Sequence, residues 1–187
     1  MGRQNRQSIH KAPPKTEHPW KEAAQTVTLS LFLAFGIRTY VAEARYVPTG
    51  SMEPTIEIND RFMMDKLSYR LRDPNRGDIV VFTPPKALLE QNMKDNLVKR
   101  LIGLPGDRVE IKNGQVFING TILTESYTKE TTQYDMPMVT VPDHQYLMLG
   151  DNRNNSYDSH YWGFVPRENI IGRAWVRYYP FDRLGGF

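Results

Sequence analysis

The segment Arg108 to Leu123, RVEIKNGQVFINGTIL, restricts the possible folds of this chain more than any other. Apolar and polar residues alternate on both sides of Asn113-Gly114, and an Asn-Gly pair between alternating runs is the strongest short-range signal for a β-hairpin, because both turn positions need φ > 0. Asn119-Gly120 repeats the signal directly afterwards. Two turns in tandem commit this region to antiparallel sheet. Short apolar runs bounded by turn residues extend the pattern, and strands are expected at Asp60–Lys66, Asp78–Phe82, Asn96–Ile102, Gln145–Leu149 and Arg173–Tyr179. Thr83–Asn96, with Pro84-Pro85, reads as a loop or a short helix around Ala87–Met93, and the polar stretch Tyr127–Met138 as a long exposed loop. With Gly and Pro at 13 each, the expectation is a mainly β protein built on an antiparallel sheet.

The N-terminal end differs in texture. Arg3, Arg6, Lys11, Lys15 and Lys21 face a single acid, Glu17, with almost no apolar periodicity, as in a basic disordered tail. Ala23 to Ile37 then carries no charge. Fifteen helical residues cover roughly 22 Å against a hydrocarbon thickness of ~30 Å, so the run alone fits a membrane span, a signal-peptide apolar region or a buried helix. Trp20 and Tyr40 are spaced as interfacial aromatics would be, and Arg38 can reach outward from a span. Ala42-Glu43-Ala44 also matches a small-x-small cleavage site, which keeps a cleaved signal open. The expected organisation is a cytoplasmic tail over 1–21, a transmembrane anchor over 22–42 and an extracytoplasmic β-rich domain over 43–187. Basic residues on the near side direct the rest of the chain across the plasma (inner) membrane. A basic tail followed by an apolar run argues for a lipid bilayer as partner and against nucleic acid. The absence of cysteine removes disulfides, thiolate metal sites and a cysteine nucleophile.

Three places can carry chemistry. Ser51 sits in Val47-Pro-Thr-Gly-Ser-Met-Glu-Pro-Thr55, where Pro48 and Pro54 fix the backbone and Gly50 permits close approach, although such a cluster also describes a plain loop. A serine becomes a nucleophile when a base takes its proton. His144 and His160 have uninformative surroundings, and Thr49-Gly-Ser-Met-Glu53 lacks both glycines of the hydrolase elbow. Ser8-Ile-His-Lys11 matches Ser-x-x-Lys without its companion motifs. Lys99 is a better base: on a strand Leu97 and Leu101 share its face, and a desolvated lysine loses its proton more readily. Val98 and Ile102 flank Arg100 in the same way, so spacing alone does not separate a base from an ordinary strand lysine. The polar run Gly150–Ser159 fails as a calcium loop at Arg153, Ser156 and Trp162, so neither a metal nor another cofactor is expected, and it reads as an elaborate turn or as a scaffold.

Four stretches together resemble the successive sequence boxes of bacterial type I signal peptidases: VPTGSMEPT (Val47 to Thr55), RGDIVVF (Arg76 to Phe82), VKRLIGLPGDRVEI (Val98 to Ile111) and GDNRNNSYDSHYWGFVP (Gly150 to Pro166). They occur in the family's order across most of the chain after the apolar run. The resemblance implies an antiparallel β catalytic domain of the signal-peptidase and LexA-like type. It also implies a membrane-bound serine endopeptidase that removes signal peptides from exported preproteins after a small-x-small site. Ser51 then matches the nucleophile and Lys99 the general base, beside Arg100. Thr49 matches the hydroxyl that joins the Ser51 N–H in the oxyanion hole, and Ser156 the serine that orients the lysine amine. Asp151, Arg153 and Asp158 fall on the polar scaffold, and Val47, Met52 and Val98 are similar to residues lining the pockets for small side chains. One position departs: the common Asp-Ser-Arg is Asp158-Ser-His160 here, so any ion pair of Asp158 depends on His160 being protonated. A LexA-like self-cleaving regulator and a noncatalytic membrane-anchored β module are the rival readings.

Overall fold

The computed structural model describes residues 19–187; most of the expected tail over 1–21 lies outside them. Two units are distinct, residues 1–37 and 38–187. The described residues open with helix α1, Pro19–Tyr40. Its large apolar side chains are open to the surroundings, Phe32 at 73% exposure among them. No helix among the described residues is long and apolar enough to cross a membrane.

In chain order there follow β1 (Ala42–Tyr46), β2 (Arg61–Asp65), α2 (Ser68–Leu71), β3 (Ile79–Phe82), α3 (Lys86–Leu89), β4 (Leu97–Gly103), β5 (Arg108–Lys112), β6 (Gln115–Ile118), β7 (Thr121–Ile122), β8 (Met136–Thr140), β9 (Gln145–Leu149), α4 (Ser159–Trp162), β10 (Val165–Pro166), β11 (Ile170–Tyr179) and β12 (Gly185–Gly186). They form an eight-stranded sheet ordered β1-β2-β11-β3-β4-β9-β10, with β12 on β11, and a four-stranded sheet ordered β7-β6-β5-β8. Every strand pair is antiparallel. The mainly β reading therefore holds. Asn113-Gly114 and Asn119-Gly120 adopt φ of 52° and 76°, and 53° and 83°, the left-handed pairs that a two-residue hairpin demands. Glycine is required at Gly103 for a different reason: a Cβ there would lie 2.8 Å from Val141 and 2.9 Å from Leu147, where β4 meets β9 beneath the smaller sheet.

Two expectations change. Tyr127–Met138 is not one exposed loop, because its last residues begin β8, with Met136 buried and paired to Ile111. Pro137 disguised this strand; at the edge of its sheet, a strand tolerates a residue with no N–H to donate. Thr132 is buried as well. The last long strand begins at Ile170 rather than Arg173, with register irregularities along both of its neighbours.

Candidate active site

Antiparallel pairing places β4 between β3 and β9, with Lys99 opposite Val80 and Arg100 opposite both Ile79 and Leu149. Alternation sends the two basic side chains of β4 to opposite faces. Leu101 and Leu97 belong to the apolar cluster around Phe82 and Leu88, as the spacing predicts, and Lys99 is only 4% exposed. Its Nζ donates to Ser51 Oγ at 2.6 Å. Burial pushes the Lys99 amine down to about 8, against the opposing charges of Asp158 and Asp151. At that value roughly a tenth of the amine is neutral at pH 7, compared with well under a thousandth for an exposed lysine. For a reaction that needs the neutral amine, kcat/KM is expected to climb about tenfold per pH unit from pH 5 to 7 and to level off above about 9. A flat profile over that range would eliminate Lys99 as the base.

The segment that carries Ser51 is also clamped by Asn152. Asn152 N–H donates to the Ser51 carbonyl at 3.1 Å and Asn152 Nδ2 to the Gly50 carbonyl at 3.0 Å. Thr49 Oγ1 lies 3.5 Å from Ser51 Oγ. Asp151, with no exposed surface, accepts a two-pronged bond from Arg100, Nε to Oδ1 at 2.7 Å and an Nη to Oδ2 at 2.6 Å, and a third bond from Thr55. The Arg100 guanidinium also stacks 3.8 Å over the Tyr127 ring. Arg153 is fully buried; it donates to the Gly150 carbonyl at 3.0 Å and grips both oxygens of Glu125 at 2.7 and 2.5 Å. Asp158 accepts from Gly150 N–H at 2.9 Å and meets His160 Nδ1 at 2.6 Å, so a hydrogen bond to the residue two along is made, and it is an ion pair only when His160 is protonated. The polar run Gly150–Ser159 is thus tied by hydrogen bonds to Gly50, Ser51, Arg100 and Glu125.

The Ser156 Oγ is buried and makes no hydrogen bond to a described residue, while the Lys99 amine donates to Ser51. The same hydroxyl explains Gly150: a Cβ there would lie 2.2 Å from Ser156 Oγ and 2.5 Å from the Ser51 carbonyl oxygen. Val47 and Met52 are buried and Val98 is half-buried, and all three line a cleft of about 420 Å³ that ends on Ser51 and Lys99. Sequence reasoning missed Asn152, Thr55, Gly150 and Glu125. The first three lie inside stretches already singled out, whereas Glu125 has no local signal at all.

Comparison with known proteins is consistent with this geometry. The sequence model of the family described as signal peptidase, peptidase S26, matches residues 20–179. The chain is 55% identical over 180 residues to a probable signal peptidase I-2 of Synechocystis sp., covering 96% of this chain and 83% of that one. It is 53% identical over 174 residues to a signal peptidase I of Leptolyngbya laminosa, covering 92% and 86%. To the thylakoidal processing peptidase 1 of Arabidopsis thaliana, a chloroplastic protein, it is 40% identical over 165 residues, covering 86% of this chain and 47% of the relative.

Proposed function

We propose, from the premise that this chain belongs to the peptidase S26 family of signal peptidases, that Ser51 and Lys99 form the dyad with which it works. It is a serine endopeptidase that removes signal peptides from preproteins. The observation that carries the dyad is the 2.6 Å contact between Ser51 Oγ and a buried amine already pushed toward neutrality. Neutral Lys99 takes the Ser51 proton as Oγ attacks the scissile carbonyl carbon. The oxyanion is held by the Ser51 N–H and the Thr49 hydroxyl. The lysine ammonium then gives its proton to the departing amine, the C–N bond breaks, and an ester to Ser51 remains. Water, deprotonated by the same amine, hydrolyses that ester after the small-x-small site. The apolar cleft at Val47, Met52 and Val98 favours small side chains beside the bond.

Thr49→Val keeps the shape and deletes the donor, and should lower kcat by about 10²–10³-fold if the hydroxyl holds the oxyanion. An unchanged kcat removes Thr49 from the mechanism. The reading as a whole is tested by incubating the detergent-solubilised protein with a preprotein bearing Ala-x-Ala, beside Ser51→Ala and Lys99→Ala. Loss of cleavage in both supports the dyad, and cleavage that survives both ends it. A self-cleaving regulator would cut only its own chain, and a noncatalytic module would cut nothing.

Lipid is the proposed partner of α1. Its 22 residues extend about 33 Å, and Leu29, Leu31, Phe32 and Phe35 are more than half exposed along it, with Trp20 and Tyr40 near its ends. Gln25 and Arg38 bring its apolar character below what crossing a membrane requires by hydropathy alone, so the proposed anchoring draws on the basic tail as well, with the N-terminus in the cytoplasm and residues 43–187 on the outer face of the plasma (inner) membrane. Retention in the pellet after alkaline carbonate extraction, with residues 43–187 digested by protease added outside intact cells, is the expected result. Release by carbonate would refute the span.

A further inference from the structure

Two depressions meet at the dyad. The cleft of about 420 Å³ runs from Ser51 between the segment Tyr46–Pro48 and the start of β4. A second, of about 320 Å³, shares Thr49, Ser51, Met93, Leu97 and Lys99 with it but has a different wall, formed by Gly50, Asn155 and Tyr157. Ser51 and Lys99 line both, so the two depressions adjoin at the Ser51–Lys99 contact.

The wall of the second is built to keep its shape. Tyr157 is 40% exposed, yet its hydroxyl donates to Gln91 Oε1 at 2.9 Å, tying the polar run to the loop after α3. Its ring packs on Tyr161 at 5.1 Å, Tyr161 on His160 at 3.9 Å, and His160 on Tyr134 at 4.0 Å. A ring fixed at its hydroxyl and along one face loses little freedom when a ligand covers the other. Beside it the Asn155 side chain is exposed, and it makes no hydrogen bond to another described residue. An unoccupied amide next to a fixed aromatic face suits an extended peptide, the amide for backbone groups and the ring for one side chain.

If the half of the substrate that acylates Ser51 fills the apolar cleft, the half that leaves must continue past Lys99, the group that protonates its amine. We propose that the groove walled by Asn155 and Tyr157 is the leaving-side subsite. It binds the first residues after the scissile bond, which become the N-terminus of the mature chain, with Tyr157 covering an apolar or aromatic side chain. This inference rests on the Ser51–Lys99 reading.

The test uses one acyl half, ending in Ala-x-Ala, carried on three leaving groups: a peptide with an aromatic residue in its first two positions, a peptide with only Gly and Ala there, and a simple thioester. For Tyr157→Ala, kcat/KM on the aromatic peptide should fall about tenfold, while the thioester changes less than twofold. Asn155→Ala should slow both peptides and spare the thioester. Tyr157→Phe, which keeps the ring, should retain most of the activity on the aromatic peptide and guards against a folding defect. Equal losses on peptide and thioester, or no loss on either, overturn the subsite. Ser51→Ala separates the two readings: if it still cleaves, the dyad has failed and not the subsite alone.

Discussion

Lys99→Met is expected to yield a protein that no longer processes preproteins yet melts at a higher temperature than its parent. Loss of a base that acts as one unit with its nucleophile costs on the order of 10⁴-fold or more in turnover. The gain in stability has the same origin as the activity. Burial holds the amine at about 8 in the folded protein against 10.5 for the free side chain. Between those values the unfolded chain binds the proton that the folded chain has released, so stability rises with pH from about 8 to 10.5. Below pH 8 the fold bears the whole penalty, on the order of 3 kcal/mol. Methionine fills the space of the stem without a charge to bury. A gain of about 1–3 kcal/mol, or roughly 3–10 °C, is expected at pH 7, shrinking as the pH approaches 10. A lower melting temperature at pH 7 would mean that Lys99 contributes to the fold instead of straining it.

The second large effect is thermodynamic. Asp151→Asn keeps the size of the side chain but sets an amide N–H₂ against one of the two Arg100 donors, leaving a buried guanidinium without its counter-charge. Breaking one partner of such a pair typically costs about 3–5 kcal/mol, here on the order of 10 °C in melting temperature. Arg100→Met introduced into the Asp151→Asn background should recover part of that loss, since it removes the orphaned charge. Asp151 also raises the affinity of Lys99 for its proton. Wherever the single variant is still folded, its acid limb of activity should therefore lie at lower pH than that of the parent. An unchanged melting temperature would show that the guanidinium reaches water, stacked as it is on Tyr127.

What could be read from the sequence was what short-range geometry determines. The two Asn-Gly turns follow from φ preferences at single residues, and the hydrocarbon around Lys99 from strand alternation across Leu97 and Leu101. Strand limits shifted by one to three residues where pairing partners, and not propensity, end the ladder. The site was legible in its members and not in its wiring. Arg100 finds Asp151 fifty-one positions away, and Arg153 finds Glu125 twenty-eight positions back. No local pattern announces either partner. The stretch Tyr127–Met138 is irregular and largely exposed as its polarity suggests up to Asp135, and departs from that only where Thr132 is buried and Met136 enters β8, a pairing with Ile111 that no local pattern announces. Ser156 is picked out by the resemblance alone, and its buried Oγ makes no hydrogen bond that strand or turn geometry could have indicated.

The Asn152 clasp on Gly50 and Ser51 links segments a hundred residues apart in the chain. Amides of the nucleophile loop and of the Gly150–Ser159 run should therefore exchange with solvent as one cooperative unit, at one rate and with one denaturant dependence. A fluctuation that carries Ser51 away from Lys99 must also release Asn152. On the Ser51–Lys99 reading proposed above, the serine is then held from wandering by the opening free energy of a distant part of the sequence, and the dyad separates only when a whole block of the domain lets go.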